Sequence, residues 1–220
     1  MINYYEISLS LFIVKYIFWR VIMEYNKITE EVLAKLAAIV GAENVATAED
    51  TLEVYAHDEV TDPAYHHKPE AVVFAETTEQ VAAVITLANE CKFPVVPRGA
   101  GTGLVGSSVA VEHGIMIDTT LMNHFLELDE KNLTLTVEPG VLLMEIGAYV
   151  EERGFFYPPD PGEKSATIGG NISTNAGVMR AVKYGVTRDF VRGLEVVLAD
   201  GTIMELGGKV VKNSSGYDLK

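Results

Sequence analysis

The chain has 220 residues with 31 acidic and 17 basic side chains, which gives a formal net charge of −14 at pH 7. A hydrophobic share of 48% and a charged share of 22% predict a globular protein with a substantial core and exclude a disordered chain. The acidic balance argues against nucleic-acid binding, which needs a basic face, and the single cysteine, Cys91, excludes an intrachain disulfide and favours a reducing compartment.

Residues 1–22 form an apolar N-terminal extension that Lys15 and Arg20 interrupt. A membrane-spanning helix needs about 20 mostly apolar residues without central charges. A secretory signal places its positive charge before the apolar stretch, whereas here the bases come later. Three interpretations stay open: a non-native start upstream of Met23, a peripheral membrane helix, or a weak membrane anchor.

Three helices are predicted from apolar residues that recur at helical spacing. Thr77 and Gln80 form a capping-box pattern at the start of the second helix. Gly41 and Gly154 offer C-terminal stops to the first and third helices. The predicted helices are residues 29–40, 77–92 and 142–153.

Short apolar runs bounded by turn residues predict the strands. Asp200-Gly201, between the last two strands, is the strongest short hairpin signal in the chain. Helices alternate with strands up to about residue 110, which predicts a small, partly parallel sheet, whereas the hairpins beyond it predict a largely antiparallel sheet. We therefore predict an α+β domain over residues 23–220, with one lobe at about 23–111 and a second at about 112–220. The predicted strands are residues 71–75, 94–96, 115–117, 125–128, 133–137, 194–198 and 202–206.

The glycine-rich segment 97–106 reads Pro-Arg-Gly-Ala-Gly-Thr-Gly-Leu-Val-Gly and follows a predicted strand. Its glycines let the backbone approach a ligand closely and can direct several N–H groups at one anion, such as a diphosphate. The segment predicts a loop that binds a phosphate-bearing ligand. A glycine-rich turn with a purely structural role is the alternative.

Residues 101–106 also spell G-x-G-x-x-G, and Asp118 follows at about the distance of a Rossmann acid. A Rossmann loop must open a helix, and a crossover that contains one needs at least about 10–12 residues. Too few residues separate Gly106 from Gly114, and residues 107–111 have the pattern of extended chain. We therefore predict that the phosphate loop lies outside a Rossmann fold.

Residues 165–177 contain no charged side chain and almost no large one. Small residues in a row let a flat ligand lie against the backbone, while threonine and asparagine offer hydrogen bonds. A packing seam between lobes is the other interpretation, and the two are compatible. Residues 164–192 carry five bases and one acid, and residues 91–111 carry two bases and no acid, so both motifs lie in regions where an anion could bind.

The five histidines are scattered without the spacing of metal ligands, so we predict surface positions for them and no metal site.

Taken together, the motifs of this sequence resemble the FAD-linked oxidases with a flavin domain of the p-cresol methylhydroxylase (vanillyl-alcohol oxidase) type. Within that family the sequence is most similar to the branch of glycolate oxidase flavin subunits and D-lactate dehydrogenases. The resemblance begins near Met23 and continues to the end of the chain. The motifs that carry it are Pro-Arg-Gly-Ala-Gly-Thr-Gly at 97–103, Val-Glu-Pro-Gly at 137–140, Ile-Gly-Gly-Asn at 168–171, Thr-Asn-Ala-Gly at 174–177, Tyr-Gly at 184–185 and Lys-Asn-Ser-Ser-Gly-Tyr-Asp-Leu at 212–219.

The resemblance implies that FAD lies extended between two subdomains and that the glycine-rich loop holds its pyrophosphate. On this basis the pyrophosphate is assigned to Arg98, Gly99, Ala100, Gly101, Thr102, Gly103 and Leu104. The rest of the cofactor is assigned to Pro139, Gly140, Pro161, Ala166, Thr167, Ile168, Gly169, Gly170, Thr174, Asn175, Gly177, Gly185 and Val191. In relatives with a covalent flavin a histidine stands where this chain has Thr102, so the resemblance implies non-covalent FAD.

The resemblance further implies oxidation of a small 2-hydroxy acid of the glycolate or D-lactate type, by hydride transfer to flavin. The electron acceptor stays open among a quinone, a cytochrome, an electron-transfer flavoprotein and an iron–sulfur protein, of which the last two are the predicted partner subunits. The single cysteine and the interrupted apolar extension predict a cytoplasmic location with at most peripheral membrane contact. In the family the substrate and base residues lie in a C-terminal cap domain, and we expect this chain to end before it, so no catalytic residue is assigned. The alternative function is a non-catalytic flavin- or nucleotide-binding subunit of a larger redox complex.

Overall fold

A computed structural model describes residues 24–159, 161–177, 179–210, 212 and 214–220, so the predicted extension at residues 1–22 lies outside the described residues. Within these ranges the helices are α1 (Glu30–Val40), α2 (Glu49–Val54), α3 (Thr78–Cys91), α4 (Leu143–Glu151), α5 (Ile168–Thr174) and α6 (Ala181–Tyr184). The strands are β1 (Val45–Ala46), β2 (Ala71–Phe74), β3 (Val95–Arg98), β4 (Ile115–Asp118), β5 (Phe125–Asp129), β6 (Thr134–Val137), β7 (Gly193–Val197) and β8 (Ile203–Gly207). None of the described helices is long and apolar enough to cross a bilayer.

The first sheet has four strands in the order β1-β2-β4-β3. Strand β1 is antiparallel to β2, whereas β4 pairs in parallel with both β2 and β3. This arrangement confirms the predicted small, partly parallel sheet. The two parallel strands β3 and β4 are neighbours, yet residues 99–114, which connect them, contain no helix.

Both faces of this sheet are covered. Because successive strand residues point to opposite faces, Val73 and Ile117 pack against α1 and α3, while Val72 and Met116 pack with Leu52 of α2. All four of those strand residues are at most 2% exposed. Burial on both faces explains why the strand sequences are continuously apolar and do not alternate.

The three predicted helices are confirmed as α1, α3 and α4. The Thr29 hydroxyl caps α1 by accepting a hydrogen bond from the Val32 N–H, and the Thr77 hydroxyl caps α3 by accepting from the Gln80 N–H at 3.2 Å. The Gln80 side chain accepts from the N–H of Glu76 at 2.7 Å. In the predicted capping box the Gln80 side chain therefore accepts from the N–H of the residue before the N-cap Thr77, whereas the usual pattern uses the N–H of the N-cap itself.

The second lobe is built on antiparallel hairpins, as predicted, but its described strands form two separate pairs, β5–β6 and β7–β8. The β5–β6 hairpin shares a core with α4 and α5, in which Val141, Ile146 and Ile168 are buried. The predicted turn at Asp200-Gly201 connects β7 to β8, with Gly201 at φ +88°. This second hairpin lies against α3, since the Asn89 amide donates to the Ala199 carbonyl at 2.7 Å.

Two local predictions need correction. The strand predicted at 94–96 lies at 95–98, because parallel pairing with β4 extends it to Arg98. Residues 107–111 form turns rather than extended chain, with the Val109 N–H donating to the Gly106 carbonyl. The predicted lobe boundary at about 111/112 stays a prediction; strand β4, which follows it, pairs with β2 and β3 of the first sheet.

Candidate functional site

The glycine-rich loop leaves the carboxyl end of β3, at the edge where open α/β sheets bind their ligands. No acceptor in the described part of the chain takes a hydrogen bond from the backbone N–H groups of residues 99–108. Such N–H groups are free to donate to water or to a bound anion, and successive N–H groups in a turn can form a nest for anions. The geometry therefore supports the predicted phosphate loop.

Two glycines give the loop its shape. Gly101 has φ +71° and Gly106 has φ +69°, a region in which residues with a side chain are strained. A Cβ on Gly101 would overlap the guanidinium of Arg98, and a Cβ on Gly106 would overlap the ring of Tyr65. The loop therefore lies directly on other side chains of the first lobe and requires glycine at both positions.

Arg98 supports the loop from beneath and is only 9% exposed. Its Nη1 donates to the His57 carbonyl at 2.8 Å and to the Ser108 carbonyl at 3.3 Å, so it links the base of the loop to its far end. The guanidinium carbon also lies 5.1 Å from the centre of the Tyr55 ring. Arg98 was predicted to contact pyrophosphate, and the structure additionally places it as a support for the loop backbone.

Asp118, at the end of β4, is also buried beside the loop and is 2% exposed. Its Oδ2 accepts a hydrogen bond from the Tyr55 hydroxyl at 2.6 Å, and its Oδ1 accepts from the Thr120 N–H at 2.7 Å. Asp118 is also the register partner of Arg98 in the β3–β4 pair. It therefore fixes the end of β4 beside the start of the loop, a role different from that of a Rossmann ribose ligand.

Burial shifts the pKa values of two groups in this network. Desolvation raises the pKa of Tyr55 well above its ordinary value, and the hydrogen bond to Asp118 raises it further. Desolvation lowers the pKa of Arg98, while the nearby Tyr55 and Asp118 oxygens act in the opposite direction. Tyr55 is therefore a neutral hydrogen-bond donor at neutral pH.

The structure brings the two small-residue motifs together. A Cβ on Gly99 of the first loop would overlap the hydroxyl of Thr167, so the two backbones approach as closely as glycine permits. Thr167 is 2% exposed and caps α5 by accepting from the Gly170 N–H. The predicted packing seam and the predicted ligand surface therefore coincide at this contact.

Pro139 and Gly140 join the same contact region. The Gly140 N–H donates to the Met122 carbonyl at 2.7 Å, and a Cβ there would overlap the Thr119 carbonyl. The Gly169 N–H in turn donates to the Pro139 carbonyl at 2.9 Å. The segment at 139–140 thus connects the end of the first sheet to α5.

Helix α5 was not predicted, since residues 168–174 include two adjacent glycines that disfavour a helix. Its first N–H groups are already satisfied, because Ile168 donates to the Val141 carbonyl at 2.9 Å and Gly169 to Pro139. The buried members of the predicted cofactor set here, Ala166, Thr167 and Ile168, pack inside the protein. Gly170 and Thr174 are the exposed members of this segment.

Most of the remaining predicted residues lie near the end of α5, in segments 175–177 and 185–191. Asn175 has φ +51°, and its Oδ1 accepts from the Arg188 N–H at 3.0 Å. A Cβ on Gly177 would lie 2.6 Å from the Val186 side chain, so residues 175–177 pack against 186–188. Pro161 is buried, Gly185 has φ +91°, and Val191 is half-buried. The assignment of these residues to FAD stays a prediction.

The loop also has partners that the sequence did not indicate, namely Tyr55, Asp58 and Ser108. Asp58 Oδ2 and Ser108 Oγ are buried polar atoms without a hydrogen-bond partner in the described residues. Buried polar atoms are normally satisfied, so such atoms beside a ligand loop suggest contact with a ligand or water. Tyr55 and Asp58 follow α2, which is six residues long and too short to show a helical period. No group of three or more potential metal ligands occurs among the described residues.

The free N–H groups, the positive-φ glycines and the close approach of the two motifs fit a dinucleotide whose diphosphate lies on the loop. Residues 99–104 would hold the diphosphate, and the exposed backbone around Gly170 and Thr174 offers a surface without large side chains for the rest of the cofactor.

Comparison with known proteins gives concordant results. A profile described as "FAD binding domain" matches residues 69–207. The D-lactate dehydrogenase of Anaerostipes hadrus is 49% identical over 198 residues, which cover 89% of this chain and 41% of that protein. The glycolate oxidase subunit GlcD of Bacillus subtilis (strain 168) is 45% identical over 193 residues, which cover 87% of this chain and 41% of that protein.

Among solved structures, p-cresol methylhydroxylase with bound substrate aligns with a TM-score of 0.75 at 27% identity, over 89% of this chain and 41% of that chain. The chain therefore spans about 41% of the length of each of these relatives.

Proposed function

The chain belongs to the family of FAD binding domains, and we propose that it is the cofactor-binding part of an oxidoreductase that oxidises a small 2-hydroxy acid. The observation that carries the FAD proposal is the run of free N–H groups at residues 99–108, set against the small-residue segment at 166–170. The substrate class comes from the similarity to a D-lactate dehydrogenase and a glycolate oxidase subunit. Bound FAD would supply the acceptor for a hydride from the α-carbon of the substrate.

In this proposal the residues of the chain bind and orient the cofactor. The loop at 99–104 neutralises the diphosphate through backbone dipoles, because residues 99–108 include no lysine or arginine and Nη1 of the buried Arg98 already donates to the His57 and Ser108 carbonyls. Arg98 and Asp118 keep the loop in its binding shape through the contacts described above. We assign no base for the substrate hydroxyl proton. The proposed electron acceptor is an electron-transfer flavoprotein or an iron–sulfur protein. The proposed location of the protein is the cytoplasm, with at most peripheral membrane contact.

The substrate class is tested by reduction of the bound flavin. The protein is produced from its complete reading frame, loaded with FAD and mixed anaerobically with D-lactate or glycolate. We expect the absorbance of oxidised flavin to bleach with one of these acids and to stay unchanged with L-lactate, the matched stereochemical control. If neither acid bleaches a flavin that dithionite does reduce, the protein is a non-catalytic flavin-binding subunit or acts on another substrate class.

We further propose that FAD is held without a covalent bond. By the resemblance given above, Thr102 stands at the loop position where relatives with a covalent flavin have histidine, and a threonine side chain cannot form the histidyl link. Precipitation of the FAD-loaded protein with acid is therefore expected to leave all of the yellow colour in the supernatant. Flavin fluorescence that migrates with the protein band on a denaturing gel would contradict this proposal.

A further inference from the structure

A polar notch lies beside the glycine-rich loop, at the point where Gly103 has no side chain. A Cβ at this position would lie 3.4 Å from Asp58 Oδ2 and 3.6 Å from the Ser107 hydroxyl. The Glu59 N–H donates to the Gly103 carbonyl at 2.9 Å, which fixes Asp58 and the loop relative to each other. We infer that this notch binds a sugar-type hydroxyl of the nucleotide cofactor, with Asp58 Oδ2 as the hydrogen-bond acceptor. The inference rests on the proposed FAD function.

Only one of the two carboxylate oxygens of Asp58 accepts a hydrogen bond from the described residues. Asp58 is only 4% exposed, and its Oδ1 accepts a hydrogen bond from the Val60 N–H at 2.9 Å. Oδ2 has no hydrogen-bond partner among the described residues. A buried carboxylate oxygen without a partner is costly, so its position beside a ligand loop indicates a donor that arrives with the ligand.

The chemistry of the notch selects the kind of ligand group. A phosphate oxygen in direct contact with Asp58 Oδ2 is excluded, because two negatively charged oxygens at hydrogen-bond distance repel each other, so the diphosphate of the proposal contacts the backbone N–H groups of residues 99–104 and not the notch. A divalent cation would need several oxygen ligands, and the described residues contain no group of three or more potential ligand side chains. A hydroxyl can donate to the Asp58 carboxylate and accept from the Ser107 hydroxyl.

The neighbouring nest fixes which hydroxyls can reach the notch. In FAD the diphosphate connects the adenosine ribose to the ribityl chain, so hydroxyl-bearing carbons follow the phosphates on both sides. A diphosphate on residues 99–104 therefore places a sugar hydroxyl within reach of Gly103 from either side. The ribose and the ribityl chain both offer hydroxyl groups, so binding of the FAD fragments ADP and FMN is used to distinguish them.

Two variants test the notch without disturbing the loop. Asp58→Asn keeps an oxygen for the Val60 N–H and replaces the free acceptor by an N–H₂ donor. Gly103→Ala fills the notch, and it is tolerated sterically because Gly103 lies outside the left-handed region and its Cβ would make only ordinary contacts. Asp62→Asn is the matched control, because exposed Asp62 accepts from the Ala64 N–H at 2.9 Å in the same local geometry.

FAD affinity and the thermal midpoint without ligand are measured for each protein. We expect Asp58→Asn and Gly103→Ala each to raise the Kd for FAD by about 10- to 100-fold, as for a hydrogen bond to a charged group, with the thermal midpoint nearly unchanged. Asp62→Asn should bind FAD as the parent chain does. A Kd within about twofold of the parent for both notch variants would overturn the inference.

ADP and FMN then identify the donor. If Asp58→Asn weakens ADP binding as strongly as FAD binding, the hydroxyl belongs to the ribose. If it weakens FMN and FAD binding but leaves ADP binding unchanged, the hydroxyl belongs to the ribityl chain. Absence of FAD binding by the parent chain would instead refute the proposed function itself, so the two failures are distinguishable.

Discussion

Replacement of Gly101 by valine is expected to abolish retention of FAD. The new side chain would occupy a position at φ +71° and would overlap the Arg98 guanidinium, which is held by the His57 and Ser108 carbonyls. Displacement of Arg98 distorts the run of free N–H groups. Loss of two hydrogen bonds to a charged phosphate, at about 1.5–3 kcal/mol each, predicts a rise in Kd of at least about 100-fold. Isothermal titration of the refolded variant with FAD measures this change.

Gly154→Val separates the loop effect from simple backbone strain. Gly154 has φ +79°, close to that of Gly101, but a Cβ there would meet nothing within 4 Å. Both variants should lose stability from backbone strain, and only Gly101→Val should in addition displace Arg98 and lose FAD binding. A folded Gly101→Val protein with full FAD occupancy would mean that the loop is a structural turn without a binding role.

Removal of the Asp118 carboxylate is expected to produce the largest loss of stability. Asp118→Ala leaves the Tyr55 hydroxyl and the Thr120 N–H without their acceptor and removes a negative charge that favours the charged form of buried Arg98. Loss of buried hydrogen bonds to a charged acceptor predicts a decrease of about 3 kcal/mol in the free energy of unfolding. Urea unfolding followed by circular dichroism measures it, provided the slope with denaturant is unchanged.

Asp200→Ala is the matched control for this variant. The Asp200 carboxylate accepts from the Thr202 N–H at 2.9 Å, as Asp118 does from Thr120, but Asp200 is exposed. Its replacement should cost less than about 1 kcal/mol. Equal costs for the two variants would show that only the local turn matters and that the contact with Tyr55 contributes nothing.

The sequence predicted the elements whose pattern is long or bounded by clear turn residues. Helix α3 shows several apolar turns and a threonine cap, and the β7–β8 hairpin has Asp200-Gly201 at its turn. Relatives of known structure confirm the two-lobed fold of the p-cresol methylhydroxylase type, and the sequence relatives confirm the resemblance to D-lactate dehydrogenase and glycolate oxidase.

The elements that were missed depend on tertiary contacts. Helix α5 forms although Gly169 and Gly170 disfavour it, because Thr167 caps it and the Val141 and Pro139 carbonyls take its first N–H groups. Strand β4 could not be placed in the first sheet from its own sequence. Its position between β2 and β3 depends on pairing with residues that are distant in the sequence. For the same reason no local pattern around Asp58 indicated that it lies beside Gly103.

A titration of the 220-residue chain with FAD tests the central claim most directly. Flavin fluorescence is followed as the chain is added, with ADP as competitor and circular dichroism as the check on folding. The account predicts saturable binding of one FAD per chain, displaced by ADP and abolished by Gly101→Val. A folded chain that shows no saturable FAD binding would contradict the assignment of residues 99–104 as the diphosphate loop.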